Sequence, residues 1–193
     1  MKIFYIRHAP TMANINGELV DDYDGQSIVF FDKDRWHEKV GSNLPKDFKL
    51  FISPAKRCKE TAKVLFPDKD YTVVQDLAEF DLSELNKSGK KFWEIDEETF
   101  NKYIFLPERS IINRWISAIE SMKSKCDSND DTVVVIGHGF YGRLVNEIYE
   151  NNEDSVFDIL NSKNFSFGNL DMMEINKRKV ENVWRYKDEA VSC

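Results

Sequence analysis

Lys2-Ile3-Phe4-Tyr5-Ile6-Arg7-His8 ends an apolar run on two basic side chains, followed by Ala9-Pro10. The run Lys2–Ile6 has the length and composition of a buried strand. Arginine and histidine at its exit are costly to bury unless they meet an anion or a hydrogen-bond partner. The same pattern recurs far along the chain. Thr132-Val133-Val134-Val135-Ile136 is a continuous apolar run that leads straight into Gly137-His138-Gly139. Ligand sites of open α/β sheets lie outside the carboxyl ends of the strands. Two of the chain's three histidines therefore stand where such a fold places its chemistry.

Further strand-like runs are Phe48–Ser53 and Tyr71–Gln75, with helical patterns between them. Ser53-Pro54 predicts a helix start, with serine as N-cap and proline in the first turn. That helix should pass through Ala62 and Phe66 and stop at Pro67. Pro107 opens a second predicted helix, with Ile111, Ile112, Trp115, Ile116, Ile119 and Met122 at helical spacing. A third follows Gly139 and carries Leu144, Val145, Ile148 and Tyr149. Asn169–Ile175 and Lys179–Tyr186 flank a polar stretch and predict a hairpin. The alternation predicts an α/β fold: a mostly parallel central sheet, helices on both faces, and an antiparallel C-terminal edge hairpin. Residues 11–44 and 80–106 interrupt this pattern. Both are long insertions after strand ends, expected to form a cap over the site.

The chain has 193 residues, the size of one domain spanning 1–193. With 41% hydrophobic residues it can bury a sizeable core. Its net charge of −7 opposes general binding to nucleic acid or to an anionic membrane. Cys58, Cys126 and Cys193 are an odd number without metal-ligand spacing, so neither a disulfide framework nor a zinc site is expected. Free thiols, no secretory h-region and no membrane-length apolar stretch predict a cytoplasmic protein. Nothing in the sequence specifies an oligomeric state.

Against a negative overall charge, bound phosphate needs a local positive pocket. Arg7 and Arg57 can supply it, the latter one turn into the helix that follows Ser53. His8 and His138 would flank the anion, and neighbouring cations keep an imidazole neutral and nucleophilic. A leaving alcohol then needs a proton donor. Glu79, Asp81 and Glu84, after the third strand, are the candidates. His37, within Arg35-Trp36-His37-Glu38, lacks such neighbours and reads as a surface or loop residue.

Arg7-His8-Ala9-Pro10-Thr11 with Asn14, Ser53-Pro54 with Arg57 and Thr61-Ala62, Leu77-Ala78-Glu79, and Gly137-His138-Gly139 occur in this order. Together they resemble the motifs of the histidine phosphatase superfamily, which includes the cofactor-dependent phosphoglycerate mutases. The resemblance implies that His8 is the phosphorylated nucleophile and that Arg7, Arg57 and His138 form the phosphate pocket. It further implies an amide hydrogen bond from Asn14 to a phosphate oxygen, and Glu79 as the acid. Ala9 stands where glycine is commoner, which requires a negative φ that Pro10 favours. Asp81-Leu82-Ser83-Glu84 stands where glycines usually follow the acid motif. The function implied is metal-independent, cofactor-free hydrolysis of a small phosphorylated metabolite through phosphohistidine. The alternatives are a phosphate mutase, a non-catalytic phosphate- or phosphoprotein-binding module, and a metallohydrolase.

Overall fold

Alternate residues of each central strand enter opposite cores, which explains why the strands read as continuous apolar runs. In the computed structural model Val133 and Val135 face one side of the sheet, while Val134 and Ile136 face the other. Residues 1–18, 25–104, 108–128, 130–149 and 167–175 are described. The strands are β1 (Lys2–Arg7), β2 (Lys49–Ile52), β3 (Tyr71–Val73), β4 (Thr132–Gly137) and β5 (Met172–Glu174). Their order across the sheet is β3-β2-β4-β1-β5. All neighbours are parallel except β5, which runs antiparallel to β1 at the edge. The predicted antiparallel edge is therefore present, with β1 as its described partner. The predicted strand Lys179–Tyr186 lies outside the described residues.

The helices are α1 (Met12–Asn16), α2 (Lys33–Lys39), α3 (Lys56–Leu65), α4 (Glu97–Tyr103), α5 (Glu108–Lys123) and α6 (Gly139–Tyr149). Helices α5 and α6 cover one face through Ile111, Trp115, Tyr141 and Leu144, packed with Tyr5 and Val135. Helices α2 and α3 cover the other through Trp36, Cys58, Ala62 and Leu65. The buried stripe of α5 is Ile111, Trp115, Ala118 and Met122, whereas Ile116 points to solvent. Pro107, expected to open α5, lies outside the described residues. Among the described residues no helix is long and apolar enough to cross a membrane.

Helix α3 starts later than predicted. Its N-cap is Ala55, which makes no side-chain capping bond. The Ser53 hydroxyl accepts the Ala55 N–H at 3.3 Å and lies 2.7 Å from a ring nitrogen of His138. The predicted cap residue has a tertiary partner instead. The end is as expected: α3 finishes at Leu65, immediately before Phe66-Pro67. His37 is not a surface residue but a partly buried one. Its Nε2 lies 2.9 Å from the Leu65 carbonyl, a last-turn acceptor of α3.

Register brings the ends of three strands together. Ile6 and Ile52 both pair with Ile136, and Arg7 pairs with Gly137. The ladder continues one bond further, from His8 N–H to the Gly137 carbonyl at 2.9 Å and from Ser53 N–H to the Ile136 carbonyl at 3.0 Å. Arg7-His8, Ser53 and His138 thus emerge side by side.

Candidate active site

His8 is almost fully buried, and its Nδ1 lies 2.7 Å from the carbonyl of Ala9. A carbonyl only accepts, so the proton is assigned to Nδ1 and the lone pair to Nε2. That lone pair accepts from Arg57 Nε at 3.2 Å. The other end of the same guanidinium donates from Nη2 to His138 Nδ1 at 2.9 Å. The proton of His138 is therefore on Nε2, donated to Ser53 Oγ at 2.7 Å. One arginine thus fixes both tautomers. Burial, then Arg57 and Arg7, hold the His8 imidazole well below its ordinary pKa. Burial, then Arg57, His8 and Arg7, do the same for His138. Both rings are neutral.

The glycines around His138 make room for neighbours. A Cβ on Gly137 would sit 2.0 Å from the Tyr5 hydroxyl. That hydroxyl accepts the His138 N–H at 2.9 Å and donates to the His138 carbonyl at 3.3 Å. A Cβ on Gly139 would lie 2.7 Å from Arg7 Nε and 2.8 Å from its Cζ. Gly139→Ala should therefore displace Arg7 while leaving α6 intact, since alanine favours helix. We expect kcat/KM to fall on the order of 10²-fold, as for a misplaced binding group, with an unchanged or raised melting temperature. Activity within twofold of wild type would show that Arg7 need not stand there.

Arg7 donates from Nη1 to the Phe167 carbonyl at 2.8 Å. Its backbone N–H and carbonyl bond Asp171 and Leu170, each at 3.0 Å. Leu170 has φ 65, a left-handed conformation unusual for leucine. Trp36 Nε1 donates to the Leu170 carbonyl at 2.8 Å, and the Gly168 N–H donates to the Asp171 carboxylate. Ala9, with no positive φ, donates its N–H to Thr61 Oγ1 at 2.9 Å. Thr61 donates in turn to the Arg57 carbonyl at 2.7 Å, joining α3 to the segment after β1.

A cavity of about 290 Å³ opens above His8, with Arg7, Asn14, Glu79 and Asn169 in its walls. Asn14 Oδ1 accepts from the Thr11 N–H and from Asn169 Nδ2, both at 3.2 Å, which leaves the Asn14 amide protons for the cavity. Asn169 Nδ2 also donates to the His8 carbonyl at 3.0 Å. Arg57 and His138 are fully buried behind His8 and do not reach the cavity wall. Both insertions contribute walls, Ala13, Gly17 and Glu18 from the first and Leu82 and Trp93 from the second. Phe80, Leu85, Phe100 and Ile104 of the second insertion enter the core instead. A larger depression of about 460 Å³ along residues 28–34 contains neither histidine nor arginine.

The three carboxylates differ sharply in surroundings. Glu79 lines the cavity, and its Oε1 accepts the N–H groups of Phe80 at 3.1 Å and Tyr141 at 3.2 Å. Burial pushes its pKa up to about 7, against the opposing pull of the Phe80 N–H, Arg57, Arg7 and the Tyr141 N–H. Asp81 is exposed and takes the Ser83 N–H at 2.9 Å. Glu84 is exposed and pairs with Lys87 at 2.5 Å. Neither lines the cavity.

Three residues of this arrangement were not apparent from sequence. Arg114 donates to the carbonyls of Ala78 and of Asp76, the latter at 3.3 Å. Its guanidinium lies 4.6 Å from the Phe80 ring centre and 4.9 Å from that of Tyr141. It thereby holds the turn carrying Glu79. Tyr5 and Asn169 act through contacts that no local motif encodes. Among the described residues no group of three His, Cys, Asp or Glu side chains is placed to hold a metal ion.

No family model matches the sequence, and no curated protein matches it. Solved structures do match in fold. Phosphoserine phosphatase from Entamoeba histolytica, in complex with 3-phosphoglyceric acid, superposes with a TM-score of 0.65 at 16% identity. The match covers 90% of this chain and 89% of that one. A mutant of that enzyme in complex with phosphoserine gives 0.67 at 15% identity, with coverage of 90% and 89%. YhfR of Bacillus stearothermophilus gives 0.63 at 16% identity, again covering 90% and 89%. The chain shares the fold of these solved structures over nine-tenths of its length.

Proposed function

We propose that this protein is a phosphomonoester hydrolase of the histidine phosphatase superfamily, acting on a small phosphorylated metabolite through a phosphohistidine on His8. The observation that carries the reading is His8 Nε2: a neutral, tautomer-fixed lone pair at the floor of a cavity shared with Arg7, Asn14 and Glu79.

The Arg57 Nε–H now occupies the lone pair that must attack. Phosphate entering the cavity is bound by Arg7 and Asn14, and the Arg57 Nε–H must turn from His8 Nε2 to a phosphate oxygen as that nitrogen meets phosphorus. His8 Nε2 then attacks phosphorus, the ester P–O bond breaks, and the leaving oxygen takes the Glu79 proton. In the second half Glu79 accepts a proton from water. The water oxygen attacks phosphorus, the P–N bond breaks, and phosphate leaves with His8 regenerated. The stabilising charge is built from arginines positioned before reaction.

Turnover of a phosphomonoester panel with and without EDTA tests this. Activity should survive chelation. Complete loss, restored by a divalent ion, would instead establish the metallohydrolase. The pH profile supplies a second test. Glu79 must be protonated to serve the leaving group, so kcat/KM should fall as pH rises through about 7. Because His8 stays neutral well below its ordinary range, no matching loss is expected just below neutrality. Glu79→Gln should abolish the alkaline limb. A limb that persists in this variant would assign the proton to another group.

A further inference from the structure

Besides the polar groups around His8, the cavity wall carries Gly17, Glu18, Leu82, Trp93 and Phe140. Trp93 rests against Gly17, where a built Cβ would fall 1.6 Å from the indole and where φ is 64. Glycine's missing side chain lets the ring lie against the backbone, yet Trp93 remains 66% exposed. A large aromatic surface is thus held open inside the cavity, where a ligand can cover it.

The lysines of the same stretch each pair with a carboxylate. Lys87 pairs with Glu84 at 2.5 Å, Lys90 with Asp96 at 2.6 Å, and Lys91 with Glu18 at 3.8 Å. None of the three lines the cavity. Among the described residues that line the cavity beside Trp93, the charged one is Glu18, whose carboxylate is shared with Lys91. A second anionic group on the substrate would face that carboxylate.

Resting on the phosphatase reading, we infer that the site selects phosphomonoesters whose alcohol portion is aromatic and carries no second anionic group. Trp93 is the surface it stacks on, and Glu18 the residue that disfavours phosphorylated carboxylic acids and bisphosphates.

Non-hydrolysable phosphonates separate this inference from the reaction itself. Calorimetry would compare 2-phenylethylphosphonate, propylphosphonate and 2-carboxyethylphosphonate. The phenyl compound should bind about fivefold more tightly than the propyl compound, the scale of one aromatic pair. The carboxyl compound should bind more weakly than propyl. Trp93→Ala should erase the phenyl preference, Trp93→Phe should retain most of it, and Glu18→Gln should relieve the penalty on the carboxylate. Tightest binding of the carboxyl compound, or a phenyl preference unchanged in Trp93→Ala, overturns the inference. Retained preference in a protein that hydrolyses no ester would discard the phosphatase reading and keep this one. Turnover of alkyl phosphates with no phenyl preference would do the reverse, and no binding of any phosphonate overturns both.

Discussion

His8→Ala is expected to abolish turnover, by on the order of 10⁴ or more, the scale on which loss of a nucleophile acts. Rapid alkaline quenching of wild type with ³²P-labelled substrate should trap an acid-labile phosphoenzyme, and the variant should trap none. His8 is one of two imidazoles held by Arg57, yet it alone faces the cavity. His138→Ala should therefore slow the reaction by loosening Arg57 while still permitting label on His8. Full activity in His8→Ala would leave only a binding role for the pocket, or a different active centre. A melting temperature near that of wild type would show that the loss is chemical.

The second large effect separates Glu79 from its neighbours through the leaving group. An alkoxide must be protonated as the P–O bond breaks, whereas nitrophenolate departs without help. Glu79→Gln keeps an oxygen for the Phe80 and Tyr141 N–H groups but removes the transferable proton. It should cost on the order of 10²–10⁴ with an alkyl phosphate and much less with p-nitrophenyl phosphate. Asp81→Asn and Glu84→Gln should show no such split, because both side chains are exposed and satisfied outside the cavity. Equal losses on both esters for Glu79→Gln would mean that it shapes or binds and does not donate.

The apolar runs ending at Arg7-His8 and Gly137-His138 were legible because a strand buried on both faces writes its length directly into composition. The motif order was legible for a related reason: each motif follows a strand end, and parallel strands place those ends on one edge. The start of α3 was misread because Ser53 has the chemistry of a cap, and only the fold shows His138 beside it. Ile116 was misplaced because helical spacing defines an apolar face without saying how wide a stripe the neighbours cover.

What the sequence by itself determined is local: alternation of strands and helices, basic and imidazole groups at strand ends, and the acidic cluster after β3. Which carboxylate is poised near neutrality is not local. Glu79, Asp81 and Glu84 lie within six residues, and the shift of Glu79 comes from burial beneath distant elements. The tautomers of His8 and His138 depend on an arginine 49 positions from one and 81 from the other. Asn169 meets the His8 carbonyl across 161 positions, and Trp93 finds its place only where Gly17 has no side chain. Desolvation and shared hydrogen bonds are set by residues far apart in the chain, so tertiary packing alone decided them.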